Sequence, residues 1–166
     1  DGWLAVHIRR TDKLQMCAPN RNLSVSTAAQ QAASFARSLH CGGVLLCSDD
    51  ALFRDELAAA LASHGLVVAT VDVLLSAKPN VQSHMAVGGL ADRRRNAEDC
   101  LVEALVMSRC RALLSSWSNV SVGVIFFSPP GFRYFMFGDA PPPATESRKP
   151  MSRGDAANQS STAAAA

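Results

Sequence analysis

Charge is sparse in this sequence and nearly balanced. The 16 Lys and Arg stand against 14 Asp and Glu, a net charge of +2 over 166 residues, too little for the basic groove that a nucleic-acid partner needs. No apolar run reaches the roughly 18–20 residues of a membrane-crossing helix. Neither a G-x-G-x-x-G nor a Walker A pattern occurs, which weakens the common dinucleotide and P-loop readings. The five cysteines, at 17, 41, 47, 100 and 110, have no zinc-ligand spacing. Asp49-Asp50 is not an Asp-x-Asp motif, so no metal is expected. No solenoid repeat is present. There is no signal-like start and no initiator Met, and Asp1 opens directly on a strand, so the expectation is a piece of a longer chain. The length suffices for one domain with its own core, and a hydrophobic content of 48% suits a globular one.

Disulfides within one element are excluded by reach. Cys41 and Cys47 flank a predicted strand and stand roughly 20 Å apart if extended. Cys100 and Cys110 share a predicted helix, about 15 Å apart at 1.5 Å per residue. Bridges between elements stay open, but buried free thiols, packing as small hydrophobes, are the simpler expectation.

What the chain does have is alternation. Residues 3–8 read as a strand, followed by a loop rich in Asn, Pro and Ser. Residues 26–39 read as a helix opened by Ser24 or Ser26 and stopped by Gly42-Gly43. "GVLLC" (43–47) is continuously apolar, as for a strand buried on both faces. Ser48 is expected to cap the helix that follows, which ends at Gly65. Residues 66–71 form the third strand and 72–92 a long loop. In the helix over 95–110, Ala97, Cys100, Leu101, Ala104, Leu105 and Ser108 share one stripe. A strand over 111–116, a short helix within 117–128 and a strand over 133–138 complete the pattern. This argues for an α/β fold, a Rossmann-like parallel sheet with helices on both faces, over residues 1–138. Residues 139–166, rich in Pro, Ala and Ser, are expected to be a disordered tail.

In an open parallel sheet, ligands bind beyond the carboxyl ends of the strands. There the sequence places Arg9, Arg10, Thr11, Asp12 and Lys13 after the first strand. Ser48, Asp49 and Asp50 follow the second. Ser115, Ser116, Ser118 and Asn119 follow the fourth, just before a helix. Arginine forks and a helix N-terminus both suit phosphate. The reading is a phosphate-bearing ligand held between the Arg9–Arg10 turn and the Ser115–Asn119 turn. The plainer readings are a solvated ion-pair cluster at the arginines, helix caps at the serines and a satisfied core histidine at His7.

"HIRRTDK" (His7 to Lys13) is similar to the H-x-R-R-T-D-K motif of the α1,6-fucosyltransferases, the group with the N-glycan core and nodulation enzymes. It is more distantly similar to the H-x-R-R-x-D of protein O-fucosyltransferases. "VLLCSDDALFRDEL" (44–57) and "EDCLVEALVMSRCRALLSSWSN" (98–119) resemble further segments of that family in the same order. The resemblance covers roughly residues 3–125 and implies the C-terminal lobe of a two-lobe, GT-B-like glycosyltransferase.

That lobe binds GDP-fucose for inverting transfer to a glycan or glycoprotein acceptor, without a metal. By resemblance, Arg9 contacts the donor's β-phosphate with Arg10 beside it, and His7 contacts the donor. Asp12 and Lys13 complete the motif, and Asp49 and Asp50 match the second segment. Glu103 stands where the family has a guanine-reading Asp. Ser116, Ser118 and Asn119 fall in the turn that donates to the pyrophosphate. Cys17 stands where the α1,6 enzymes carry a Glu proposed as the base. The resemblance further implies an N-terminal lobe and a Golgi-lumen location, through a membrane anchor outside this chain. The sequons at Asn22, Asn119 and Asn158 fit a luminal protein. The alternatives are a nucleotide-sugar-binding or interaction module that has lost transfer, and an unrelated Rossmann-like domain with surface ion pairs.

Overall fold

The computed structural model describes residues 2–10, 23–73 and 90–144. Strand β1 (Gly2–Ile8) is flanked by β2 (Cys41–Ser48) and β4 (Ala112–Ser115), with β3 (Val67–Thr70) and β5 (Arg133–Met136) at the edges. The order is β3-β2-β1-β4-β5, and every pairing is parallel. The expected Rossmann-like α/β sheet is therefore what forms. The register pairs Val6 with Leu46 and Leu114, and His7 with Cys47 and Ser115, so the carboxyl ends of the three central strands lie side by side.

Side chains alternate across the sheet. Leu4, Val6, Val44, Leu46 and Leu114 face helices α1 (Val25–Ser38) and α2 (Ala51–Ser63), in a core that includes Phe35, Leu57 and Leu61. Ala5, Leu45, Cys47 and Leu113 face α3 (Leu90–Met107) and α4 (Asn119–Phe127), which contribute Ala104, Met107 and Val124. Among the described residues, fewer buried side chains cover the second face than the first.

Four expectations need correction. Helix α1 ends at Leu39 and His40, the latter at φ +51°, rather than at the glycine pair. Gly42 and Gly43 belong to β2, where a Cβ on Gly43 would lie 2.7 Å from the Trp3 ring. The cap of α2 is Asp50, whose carboxylate accepts the Phe53 N–H, because Ser48 stays in β2 opposite Ile8.

Helix α3 starts earlier than expected, and its buried stripe is turned. Ala104, Met107 and Ser108 are buried, whereas Leu101 and Leu105 are exposed along with Ile125 and Phe126 of α4. Finally, the expected disorder does not begin at Asp139. Gln31 donates to the Asp139 carbonyl at 2.9 Å and accepts the Gly138 N–H at 3.2 Å, and the Ser38 hydroxyl donates to the Pro142 carbonyl. Residues 145–166 lie outside the described residues. Truncation after Ala144 should leave the melting temperature unchanged. Truncation after Gly138 removes two of these bonds and should cost about 1–2 kcal/mol, a drop of several degrees in a thermal melt.

The cysteines 41, 47, 100 and 110 are all free thiols.

Candidate functional site

Parallel pairing forces the residues after β1, β2 and β4 to a common edge, and backbone hydrogen bonds lock them there. The Arg9 N–H donates to Ser116 Oγ at 2.8 Å, and the Ser116 N–H donates to the His7 carbonyl at 2.9 Å. The Arg10 N–H donates to Asp49 Oδ1 at 2.8 Å. Arg9 Nε lies 3.6 Å from Asp49 Oδ2, and Arg10 Nε lies 3.5 Å from Asp50 Oδ2. All four side chains are largely sheltered, so these pairs carry both more attraction and more desolvation cost than exposed ones.

The two arginines do different things. Arg10 places its guanidinium 4.1 Å from the centre of the Phe53 ring and donates to the Leu23 carbonyl at 3.0 Å. With Asp50 alongside, its fork ties β1 to the N-termini of α1 and α2. Arg9 keeps its guanidinium beside Asp49, and its charge acts on both His7 and Cys100.

His7 is buried, and its Nδ1 lies 3.1 Å from Ser121 Oγ and 3.3 Å from Ser118 Oγ. Burial first, and the Arg9 charge second, lower its pKa to about 4. It is a neutral imidazole that pins α4 onto β1. Ser118 is the N-cap of α4, and its hydroxyl accepts the Ser121 N–H at 3.1 Å. Ser121 in turn donates to the Ser116 carbonyl at 3.2 Å. The serine hydroxyls expected to face a ligand are thus turned inward, into a buried network under the helix. What this end of α4 presents outward is exposed Asn119 and the first amides of the helix, which have no intrahelical acceptor. Ser115 Oγ is buried with no hydrogen-bond partner among the described residues.

Glu103, on the sheet-facing side of α3, accepts the Cys47 S–H. Burial, then the charges of Asp99 and Asp49, push its pKa up to about 7 against the pull of the Cys47 bond and the Arg54 charge. The Cys47 thiol is driven far above its ordinary value, chiefly by burial and then by the Glu103 charge.

Two opposed titrations follow. His7 binds its proton less readily folded (about 4) than unfolded (6.5), so its contribution to stability grows as pH rises through that window, by roughly 3 kcal/mol in all. Glu103 binds its proton more readily folded (about 7) than unfolded (4.5), so its contribution shrinks as pH rises. Between pH 4.5 and 6.5 the two slopes nearly cancel. Denaturant midpoints of the wild type should vary little from these two groups over that window. Glu103→Gln should expose the His7 slope, a gain of about 2 kcal/mol across it. A Glu103→Gln profile parallel to wild type would contradict this account.

Among the expected site residues, His7, Arg9, Arg10, Asp49, Asp50, Ser116, Ser118 and Asn119 come together at this edge. Glu103 joins them through Asp49, whose charge it feels. Asp12 and Lys13, like Cys17, lie outside the described residues. The sequence reading missed Cys47, Arg54, Asp99 and Ser121. Only Ser121 left a trace, the Ser-x-x-Ser spacing of a capped helix start. Among the described residues, no group of three His, Cys, Asp or Glu side chains could hold a metal ion. No protein-family model matches the chain, and no curated protein matches it.

Proposed function

We propose that this edge receives the diphosphate of GDP-fucose, and that the domain is the donor lobe of an inverting fucosyltransferase acting on a glycan or glycoprotein. The observation that carries the reading is Arg9. Its backbone is clamped by Ser116 and its guanidinium is held by Asp49, at the same edge as the N-terminus of α4. When GDP leaves, negative charge grows on the β-phosphate. An oriented guanidinium and free helix amides stabilise that charge without reorganising. Asp49 supplies the orienting carboxylate next to Arg9, a role for which Asp12 is the other candidate by resemblance. His7 and Ser118 support the site from beneath. By resemblance, Glu103 is the candidate reader of the base. The resemblance assigns the acceptor side, with Lys13, to the rest of the site and to an N-terminal lobe, in a Golgi-lumenal, membrane-anchored protein.

A second reading is a nucleotide-sugar-binding module that no longer transfers. It is favoured by the commitment of Arg10 to Phe53, Asp50 and Leu23, which leaves Arg9 alone to meet phosphate, and by Cys17 at the family's base position. Calorimetry with GDP and ADP, together with transfer from GDP-fucose by the full-length protein, separates the two. GDP binding with transfer supports the enzyme, and GDP binding without transfer supports the module. Absence of GDP binding removes both.

A further inference from the structure

The opposite end of the sheet carries a second recess. It has a volume of about 570 Å³, within the usual range for small-molecule sites, and lies beside the C-terminal half of α3. Its floor is Leu45 and Ala69, its walls are Trp3 and Val106, and its rim is Arg109 and Arg111. It lies toward the amino end of the sheet: Trp3 stands at the start of β1 and Arg9 just beyond its end, roughly 20 Å along the strand, while Leu45 and Ala69 bring its floor to mid-sheet.

Two missing Cβ atoms shape it. The Trp3 ring lies against Gly43, where a Cβ would sit 2.7 Å from the indole. The Arg111 stem lies against Gly2, where a Cβ would sit 2.9 Å from the arginine's own Cβ. The Arg111 N–H donates to the Trp3 carbonyl at 2.8 Å, which fastens rim to wall. Neither Arg109 nor Arg111 forms an ion pair among the described residues. An apolar recess with an aromatic wall and two cations at its mouth complements a molecule with an apolar body and one anionic head.

We propose that this recess binds a small apolar carboxylic acid, its chain over Leu45 and Ala69 along Trp3, and its carboxylate between Arg109 and Arg111. The site is independent of whatever the carboxyl edge binds.

The test uses octanoate and its neutral counterpart 1-octanol, with Trp3 emission as the readout in a Trp117→Phe background. Octanoate should bind the otherwise unaltered protein at least tenfold more tightly than octanol. The double variant Arg109→Gln/Arg111→Gln, changed only at exposed side chains, should erase that difference and leave octanol binding in place. Ala69→Phe should weaken both, with far-UV circular dichroism checking that it folds. Equal affinity for acid and alcohol in the unaltered protein overturns the carboxylate role, and so does a double variant that keeps the preference. No Trp3 response to either ligand overturns the site. Co-sedimentation with phosphatidylglycerol vesicles, abolished by the double variant, would assign the arginines to a membrane surface instead and overturn the free acid as ligand.

Discussion

Replacing Arg9 by lysine is expected to lower fucose transfer on the order of 10²-fold, the usual loss when one donor to a developing oxyanion is removed, while the melting temperature stays almost unchanged. Lysine keeps the charge and the chance to pair with Asp49, so attraction and desolvation cost fall together and little net stability is lost. What it loses is the planar fork, which lets one guanidinium hold Asp49 and meet a phosphate oxygen at the same time. The backbone clamp on Ser116 is untouched, because it uses the main-chain N–H. If the contact strengthens as GDP leaves, the loss falls on kcat and much less on KM. Arg10→Lys should behave in the opposite way. Its guanidinium stacks on Phe53 and bonds to Leu23, so stability should fall first, by about 1–2 kcal/mol. Wild-type transfer by Arg9→Lys would return the motif to its plainer reading, an ion-pair cluster that closes the mouth of β1.

That division of labour between adjacent arginines could not be read from the sequence, although their position could. Once the alternation indicates a parallel sheet, the residues after Ile8, Ser48 and Ser115 must meet at one edge. Arg9, Asp49 and Ser116 indeed touch there. Which arginine is committed to packing depends on Phe53, a partner more than forty positions away.

The turned stripe of α3 failed for a different reason. Hydrophobic spacing counts apolar residues, and the inward face of this helix holds Cys100 and Glu103 beside Ala104 and Met107, while Leu101 and Leu105 are exposed. A carboxylate on an inward face is invisible to a rule that assigns polar residues to solvent. The ordered stretch from Asp139 to Ala144 escaped notice because it is held partly through its own carbonyls, a property every residue has.

If Glu103 reads the base as proposed, a second large effect follows, a nucleotide preference that changes with pH. An ionised carboxylate offers two acceptors, which match the N1–H and N2–H of guanine. A protonated carboxyl offers one donor and one acceptor, which match N1 and the N6 amino group of adenine. Because the Glu103 pKa lies at about 7, both forms are populated near neutrality, and each base selects its own. From pH 6 to pH 8, the ionised fraction rises about tenfold and the protonated fraction falls about tenfold. The ratio of GDP to ADP affinity should therefore rise by up to about a hundredfold over that interval. Taking the ratio removes the titration of the diphosphate itself, which both ligands share.

Glu103→Gln fixes the donor–acceptor pattern of the protonated form. That variant should favour ADP, with a ratio that does not move with pH. Calorimetric titrations of both nucleotides at pH 6, 7 and 8 decide the matter. A flat ratio in the wild type would mean that Glu103 does not face the base. A pH-dependent ratio that persists in Glu103→Gln would transfer the role to another group, of which Asp99 and Asp49 are carboxylates whose charges act on this position.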